Sequence, residues 1–467
     1  MNIKLKRALL ILGAILLLVV AAIVFFVGPW PAYGPRPVTE TASFQSAASA
    51  IDLSNKASRE KADLLEVGWA KVPFALPAGT PLAGFGDRKG APAEGVRDPV
   101  YAYAIALHDG QDEIVILGAD LLIIPENIAD RVRAELCEQD SDCNPSTILF
   151  NATHTHSGPG AWGPGLAASM FAGAYDVDVE DALTLAFVQV IRDARAARAP
   201  ATVASGGIDV PDYVRNRARE GAPVDAELSY LAFRRADGDQ CFVASYAAHA
   251  TVLGSGNMKF SADYPGHLVG AIERETGGFA MFLAGAVGST SARVDGADSD
   301  TRAEALGEAL ATRVLDDVAT AEYRDTVDIA AIGVPFDSPS YQFRVGKSWR
   351  LSPHLFPRLG VDNDVWIHAA KIGDVFLYAT PCDISGEIAI EWKAWAEAQG
   401  IDLWVLSFNG DYVGYISPDR YYNTAKRGTD EEYEMFTMSW MGPNQEALFT
   451  ELLYYLVPRV AGLVPDE

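Results

Sequence analysis

The chain begins with an apolar segment that differs from everything after it. Ala8 to Val27 carries no charged residue, and Lys4, Lys6 and Arg7 precede it. This run of twenty residues is long enough to cross a bilayer as a helix, and the basic residues favour a cytoplasmic N terminus. We predict a signal anchor over residues 1–27, with the rest of the chain periplasmic or extracellular. A cleaved signal peptide is the alternative, and it leads to the same location.

Behind this segment, apolar residues recur with two different spacings. Apolar runs between tight turns predict pairs of strands, whereas apolar residues repeated every three to four positions behind a start signal predict helices. The predicted strand pairs cover residues 101–124, 227–250 and 365–380, and the predicted helices cover residues 125–138, 183–199, 300–318, 387–400 and 444–457. Strand pairs and helices are interspersed, so we predict a mixed α/β fold with mixed β-sheets flanked by helices.

Residues 28–66 differ in composition from the chain on either side. Four prolines fall within residues 29–37, and a Ser/Ala-rich stretch follows them. This composition favours an extended linker, so we predict a tether, with a short helix over residues 55–66. Residues 67–467 then form the predicted catalytic domain.

The charge and the cysteine content restrict the partners and the compartment. The chain has 37 Lys and Arg against 62 Asp and Glu, a formal net charge of −25. Such a charge repels phosphate backbones and argues against nucleic acid as a partner. Cys137 and Cys143 are close enough in sequence to bridge a surface loop in an oxidising compartment. Cys241 and Cys382 lie in apolar stretches and are predicted to be buried thiols.

Residues that can bind a metal or move a proton follow four of the apolar runs. They are His154 with His156, then His249, then Asp383, and finally the group Asn409, Asp411, Tyr412 and Tyr415. Residues two apart on a strand point to the same face, so both members of the His-Thr-His pair can face one pocket. For an isolated pair of this kind, hydrogen bonding to loop backbone is an equally good explanation.

The loops at strand ends are where α/β enzymes place their chemistry, which favours a metal site here. Zinc in a hydrolase takes three or four nitrogen or oxygen ligands and keeps one position open for water. His154, His249, Asp383 and one tyrosine would supply that set. Asp263 is a candidate hydrogen-bond partner for a zinc-binding histidine.

The string ATHTHSGPG at residues 152–160 resembles the signature of the neutral/alkaline, non-lysosomal ceramidase family, which reads close to THTHSGPGG. Weaker matches follow the family's order from about Gly68 to about Pro443. They are ILGADLLII, VRNRARE, SYAAHATVLG, FLAGAVGSTS, ATPCDISGE and NGDYVGYISP. The resemblance implies a zinc-dependent amidase that hydrolyses the N-acyl amide of ceramide, or of a related N-acyl lipid, to a fatty acid and an amine.

The resemblance also implies a role for individual residues. His154 and His249 would be the zinc-binding histidines, Asp383 would stand where the family has a ligating glutamate, and Tyr415 would lie on or near the metal. His156 and Arg217 would line the site, the histidine as a proton donor and the arginine as a contact for an anion or carbonyl.

Two further residues have family counterparts. Ser291 aligns with a serine once taken to be a nucleophile. We expect Ser291 to contact substrate or support the site, because a zinc-activated water makes a second nucleophile unnecessary. Tyr433 matches a second active-site tyrosine of the family, and the alignment of the two sequences at this point is open by one residue.

Several positions depart from the family pattern. Its GDVSPN segment reads GSTSAR here, so Ser289 replaces the acid and Arg293 replaces the asparagine. We also expect the family's C-terminal immunoglobulin-like domain to be absent. Two alternatives therefore stay open. One is a zinc hydrolase of the same fold that acts on another amide, such as an N-acyl amino acid, and the other is a catalytically silent binding module of the cell envelope.

The glycine-rich loop at residues 158–173 bears on the substrate. Its small residues, together with Trp162, Met170 and Phe171, suit an apolar acyl chain, with ordinary core packing as the alternative. The predicted partners are thus a lipid amide, as substrate, and the membrane, through the N-terminal helix.

Overall fold

Two β-sheets with helices on their outer faces carry the fold. The computed structural model describes residues 3–54, 64–139, 143–355, 364–425 and 428–463. The helices are α1 (Ile3–Phe26), α2 (Ala42–Ser54), α3 (Glu126–Gln139), α4 (Leu166–Ala172), α5 (Val177–Ala196), α6 (Asp263–Thr276), α7 (Ser299–Val318), α8 (Gly386–Glu397), α9 (Asp430–Glu432) and α10 (Gln445–Val460). A π-helical turn at Tyr433–Thr437 follows α9 directly.

The strands differ widely in length, from two to eleven residues. They are β1 (Trp30–Pro31), β2 (Glu66–Pro73), β3 (Tyr101–His108), β4 (Glu113–Ala119), β5 (Ile148–Ala152), β6 (Ala199–Asp209), β7 (Val214–Asn216), β8 (Glu227–Arg235), β9 (Gln240–Tyr246), β10 (Phe279–Ala284), β11 (Thr290–Ala292), β12 (Ile329–Asp337), β13 (Arg344–Gly346), β14 (Trp349–Arg350), β15 (Asp364–Ile372), β16 (Val375–Ala379), β17 (Asp383–Ile384), β18 (Asp402–Leu406) and β19 (Tyr415–Ile416). The predicted mixed α/β fold is confirmed.

The larger sheet has eight strands in the order β10-β9-β8-β6-β2-β3-β4-β5. Its inner pairs are antiparallel, whereas β9 with β10 and β4 with β5 are parallel. Helix α5 packs on β2 and β3, and α6 packs on β10. The interiors of β3, β4, β5, β8, β9 and β10 are apolar and buried, which is typical of strands covered on both faces, whereas β2 and β6 are partly exposed.

Asn151 joins the two ends of this sheet. Its side-chain nitrogen donates to the carbonyls of Ala284 (3.1 Å) and Ser407 (2.8 Å), and its oxygen accepts from the Ala284 amide (2.8 Å). Asn151 lies on β5 and Ala284 on β10, so the two edge strands meet, with the end of β18 beside them. A buried amide whose hydrogen bonds are satisfied in this way fixes the relative position of three strands.

The smaller sheet has the order β12-β15-β16-β18 and carries the second hydrophobic core. Helices α2 and α10 pack on it, and α8 packs on β18. Two short ribbons complete the frame, with β7 antiparallel to β11 and β17 parallel to β19. These ribbons bring chain segments that are far apart in sequence to one place.

Part of the predicted tether packs against the folded domain. Phe44, Ala47 and Ile51 of α2 are buried in the second core, and Trp30 and Pro31 of β1 pair with β14. The Ser/Ala-rich composition suggested a linker. With so many small residues, the apolar face of a short helix was not recognisable from the sequence pattern. Residues 55–63 of the predicted tether lie outside the described residues, and the predicted domain boundaries stay predictions.

The N-terminal segment forms α1, and all its described side chains are exposed. Within the described residues it is the one helix long and apolar enough to cross a membrane, by length and composition. Cys137 and Cys143 form a disulfide, and Cys241 and Cys382 are buried free thiols, as predicted.

Candidate metal centre

Three histidines converge at the point where the strands of the larger sheet end. His154 and His156 follow β5, and His249 follows β9. The Nε2 atoms of His154 and His249 lie 2.9 Å apart. The Nε2 atom of His156 lies 3.1 Å from that of His249 and 3.4 Å from that of His154. The structure thus brings both halves of the predicted His-Thr-His pair to the third histidine.

His154 is held from several sides. Its Nδ1 lies 2.6 Å from the carbonyl oxygen of Leu122, and its ring stacks on Phe408, with centroids 4.2 Å apart. Its backbone is left-handed, with φ of +60°. Such a conformation is costly for a residue other than glycine and is concentrated at functional sites. The chain turns sharply at this residue and aims Nε2 into the cluster.

His249 is oriented in the same way. Its Nδ1 lies 3.2 Å from the carbonyl oxygen of Val287, and its side chain is fully buried. A carbonyl can only accept, so Nδ1 of both His154 and His249 carries the proton and Nε2 presents a lone pair. This arrangement is typical of metal-binding histidines. The sequence had suggested Asp263 for this orienting role, but that prediction is wrong, because the Asp263 carboxylate accepts from the backbone amides of Leu253 and Tyr264.

His156 differs from the other two histidines. Its Nδ1 atom is buried and has no hydrogen-bond partner among the described residues. Its ring is half-buried and packs against Phe85, with centroids 4.8 Å apart. His156 therefore points at the cluster without the backbone acceptor that fixes the protonation of the other two rings.

Asp383 brings a carboxylate to the histidines. It lies on β17, directly opposite Tyr415 of β19. Its Oδ2 accepts a hydrogen bond from the Tyr412 hydroxyl (2.6 Å), while its Oδ1 is buried, has no hydrogen-bond partner among the residues that the structure describes, and lies 3.4 Å from Nε2 of His154. Burial raises the pKa of Asp383 to about 7, and the bond from Tyr412 opposes that rise.

The donor set fits a divalent metal. Burial lowers the pKa of His154 to about 3 and lowers the pKa values of His156 and His249 well below the usual range, so all three rings are neutral. Neutral imidazoles are the form that binds metals. Three such nitrogens within 4.8 Å of one another, beside an unpartnered buried carboxylate oxygen, make a nitrogen-rich site of the kind that zinc prefers.

Arg217 and Tyr415 form the opposite side of the site. The Arg217 guanidinium donates to the Tyr415 hydroxyl (3.0 Å), to the Gly288 carbonyl (3.0 Å) and to Oε1 of Glu434 (2.7 Å). Glu434 is buried in the π-helical turn. Burial works against the charge on Arg217, but Tyr415 and Glu434 raise its pKa above the ordinary value. The arginine is thus a fixed cation beside the tyrosine hydroxyl.

The sequence missed Glu434 as a functional residue and gave Tyr412 no specific role. Glu434 stands beside Tyr433, and Tyr412 lies three residues before Tyr415, so both were adjacent to predicted positions. The pairing of Arg217 with Glu434, 217 residues away, has no local signal.

The two remaining predicted residues lie farther out. The Tyr433 ring packs edge-on against that of Tyr415, with centroids 5.7 Å apart, and 49% of Tyr433 is exposed, so it stands between the site and solvent. Ser291 lies on β11, where its hydroxyl accepts from the exposed Arg215 (3.1 Å). Within the described part of the chain, Ser291 makes no recorded contact with the three histidines.

Comparison with protein families decides the relationship. The model of the neutral/alkaline non-lysosomal ceramidase family, N-terminal, matches residues 75–307. The chain belongs to this family. The matched residues include the three histidines, Arg217 and Ser291, whereas Asp383, Tyr415 and Tyr433 lie beyond them. Membership of the ceramidase family supports a hydrolase.

Individual ceramidases are distant from this chain. The "Neutral ceramidase" of Mycobacterium tuberculosis (strain ATCC 25618 / H37Rv) is 24% identical over 204 residues, which cover 41% of this chain and 32% of the relative. The match thus spans about a third of the relative's length. The crystal structure of neutral ceramidase from Pseudomonas aeruginosa matches with a TM-score of 0.75 and 17% identity, over 88% of this chain and 76% of the other. A ceramidase complexed with C2 matches with a TM-score of 0.73 and 17% identity, over 86% and 76%. These two likenesses establish the ceramidase fold.

Proposed function

We propose that this chain is a zinc-dependent amide hydrolase that cleaves the N-acyl bond of ceramide, or of a related N-acyl lipid, to a fatty acid and an amine. The observation that carries the proposal is the convergence of three neutral imidazoles and an unpartnered carboxylate oxygen next to the Arg217–Tyr415 pair. Family membership and the activity of the related ceramidases, as their names give it, supply the substrate class.

His154, His249 and Asp383 would hold the metal, with Tyr415 beside it or on it. Orientation by backbone carbonyls distinguishes the first two from His156, whose Nδ1 has no such partner. When bound, a zinc ion would polarise the amide carbonyl and lower the pKa of water held next to it.

The Tyr415 hydroxyl and Arg217 would stabilise negative charge on the substrate's carbonyl oxygen. Arg217 donates to that hydroxyl, so the hydroxyl oxygen accepts and its own proton is available for donation, either to the neighbouring Asp383 carboxylate or to the substrate. Both groups are held in place before substrate binds, because Glu434 and the Gly288 carbonyl fix the guanidinium. Fixed donors aimed at the developing charge are among the largest contributions to catalysis.

His156 would move the proton that the leaving amine needs. Its ring is neutral, half-buried and free at Nδ1. A neutral imidazole can accept the proton that the attacking water loses and deliver it to the amine nitrogen as the amide bond breaks. His156 differs in this respect from His154 and His249, whose Nδ1 protons are already donated to backbone carbonyls.

The acyl chain would lie along α4. Leu166 and Met170 of this helix are exposed, by 64% and 70%. The Phe171 carbonyl accepts from the Gly84 amide, and a Cβ at Gly84 would lie 2.7 Å from His156, so this region adjoins the site. Trp162, by contrast, is buried and donates to the Pro159 carbonyl, which fits the core-packing alternative for that residue.

A second candidate substrate is an amide whose amine half carries an acid, such as an N-acyl amino acid. Arg215 lies on β7, two residues before Arg217, which directly follows that strand. Arg215 and Arg293 are exposed, and within the described residues neither has a recorded ion pair. Exposed arginines next to the site of an acidic chain could bind the carboxylate of such a substrate.

We also propose that α1 anchors the enzyme, with its catalytic domain on the periplasmic or extracellular side. Its length, its lack of charge after Arg7 and the basic residues at its start support an anchor oriented in this way. A substrate confined to a bilayer would then be at hand.

The test is hydrolysis by the purified full-length chain, loaded with zinc in detergent. We expect fatty acid to be released from a short-chain ceramide, and a chelator to stop the reaction. A variant of a histidine outside the site, His108→Ala, is the matched control and should keep full activity. Cleavage of N-acyl amino acids alone would select the second candidate, and inertness on both classes would refute the proposed hydrolase.

A further inference from the structure

The end of α1 is bonded to the folded domain. The Trp30 indole donates to the Val24 carbonyl (2.8 Å), and the hydroxyl and amide of Ser352 donate to the carbonyls of Phe25 (2.6 Å) and Val27 (2.9 Å). The last carbonyls of a helix have no partner within the helix, and here the domain supplies partners. The Phe25 ring also stacks on His354, with centroids 4.3 Å apart. The apolar helix therefore leaves the domain at a fixed place.

That place is the three-stranded sheet β1-β14-β13, which we call the collar. Trp30 and Pro31 pair with β14, and the hairpin of β13 and β14 exposes Val345 (47%) and Trp349 (49%). Single exposed apolar residues are ordinary on a protein surface. These two lie on the short sheet that receives the end of a membrane-length helix, together with Lys347, which is also exposed.

We infer that the collar is a second membrane contact, which lies in the headgroup region around α1 and seats the domain on the bilayer. Tryptophan beside lysine and arginine is the composition that membrane–water interfaces favour. The end of a helix that crosses the bilayer lies at the membrane interface. Val24, Phe25 and Val27, at the end of α1, are hydrogen-bonded to Trp30 of the collar or to Ser352 just beyond it, so these partners lie at the interface too. The partner is thus the lipid interface itself.

The collar also adjoins the mouth of the candidate site. Arg344 of β13 donates to the carbonyls of Tyr422 (2.8 Å) and Met435 (2.8 Å), and its guanidinium stacks on Phe436. Met435 belongs to the π-helical turn that begins at Tyr433, whose ring packs on Tyr415. When the collar lies against the bilayer, the π-helical turn that borders the site is therefore held close to lipid.

The test measures contact with lipid and not catalysis, so it can fail independently of the proposed hydrolase. The full-length chain in phosphatidylcholine nanodiscs would carry an environment-sensitive fluorophore on Val345→Cys or on Trp349→Cys. The native cysteines are either in a disulfide or buried, so the label goes to the introduced thiol. Leu185→Cys is the matched control, because Leu185 is 68% exposed but lies on α5, which packs on the larger sheet.

We expect lipids spin-labelled near the headgroup to quench the labels at residues 345 and 349 several-fold more than the label at residue 185. In nanodiscs made without spin label and without detergent, the emission of those two labels should also be blue-shifted. The reference is the emission of the same samples after the protein has been unfolded in denaturant. Because both positions are exposed, neither substitution removes a buried contact. Quenching at both positions no stronger than at residue 185 would overturn the inference.

Discussion

The two sides of the candidate site are built differently. The histidine side extends from β5 and β9, strands of five and seven residues in the larger sheet, and backbone carbonyls of Leu122 and Val287 orient the rings of His154 and His249. The tyrosine side is carried by two- and three-residue strands and a π-helical turn, and side chains hold it together, chiefly Arg217 with Glu434. Strands of the larger sheet position the two histidines proposed as metal ligands, whereas a short ribbon positions Asp383 and a buried ion pair positions the groups proposed to stabilise charge.

This difference predicts that the two sides fail in different ways. Damage to the histidine side should remove the metal and leave the fold, because the sheet does not depend on those rings. Damage to the tyrosine side should leave the metal and impair catalysis or stability. The predictions below test that contrast.

The largest loss is expected from His249→Ala. This ring supplies one of two imidazoles whose Nδ1 protons are held by carbonyls, so its removal should take away the metal and with it all measurable hydrolysis. Fatty-acid release is the assay, and circular dichroism should show that the fold survives. Hydrolysis at the wild-type rate would place the metal elsewhere.

A smaller loss is expected from Tyr415→Phe, which removes only the hydroxyl that Arg217 holds. Removing one preorganised donor of this kind typically lowers kcat by about 10²–10³. The zinc content should stay at the wild-type level, in contrast to His249→Ala. Loss of zinc in this variant would mean that Tyr415 is required as a ligand and would erase the contrast between the two sides.

Glu434→Gln should lower both stability and activity. The change leaves Arg217 without its buried carboxylate partner, and breaking a buried pair costs roughly 3–5 kcal/mol. Hydrolysis should fall by about 10- to 100-fold, as it does when a residue that orients a site is removed. Urea unfolding measures the stability. The control is Glu391→Gln, whose exposed pair with Arg420 should be worth about 0–1 kcal/mol.

The smallest effect is expected from Ser291→Ala. The Ser291 hydroxyl accepts from an exposed arginine and has no recorded contact with an imidazole in the described part of the chain. Activity should stay within a few-fold of wild type, and mass spectrometry during turnover should find no acyl-enzyme. An acylated peptide that contains Ser291 would reassign it as the nucleophile.

The same contrast explains how far the sequence could go. His154, His249 and Asp383 each follow or begin a short apolar run, so a pattern of strand ends was enough to propose them together. Glu434 and Tyr412 act through side-chain contacts with residues 217 and 29 positions away, and no spacing rule predicts such pairs.

The fold shows a similar division. Periodicity predicted the strand pairs and the helices α3, α7, α8 and α10 to within a few residues, but it placed the start of α5 six residues too late, and none of the predicted helix ranges covers α6. It did not predict that α2 packs in the second core, nor that Asn151 would join both edges of the larger sheet. The packing of α2 and the hydrogen bonds of Asn151 depend on which surfaces meet after folding. The local sequence does not encode that information.

Zinc stoichiometry is the measurement that tests the central claim most directly. Elemental analysis of the purified full-length chain should find one zinc per wild-type chain. The expected content is none in His154→Ala and an undiminished one in His156→Ala, because His154, unlike His156, has its Nδ1 proton held by a backbone carbonyl. His156→Ala should nevertheless hydrolyse substrate slowly, since it lacks the proposed proton carrier. Stoichiometric zinc in a folded His154→Ala variant would contradict the account.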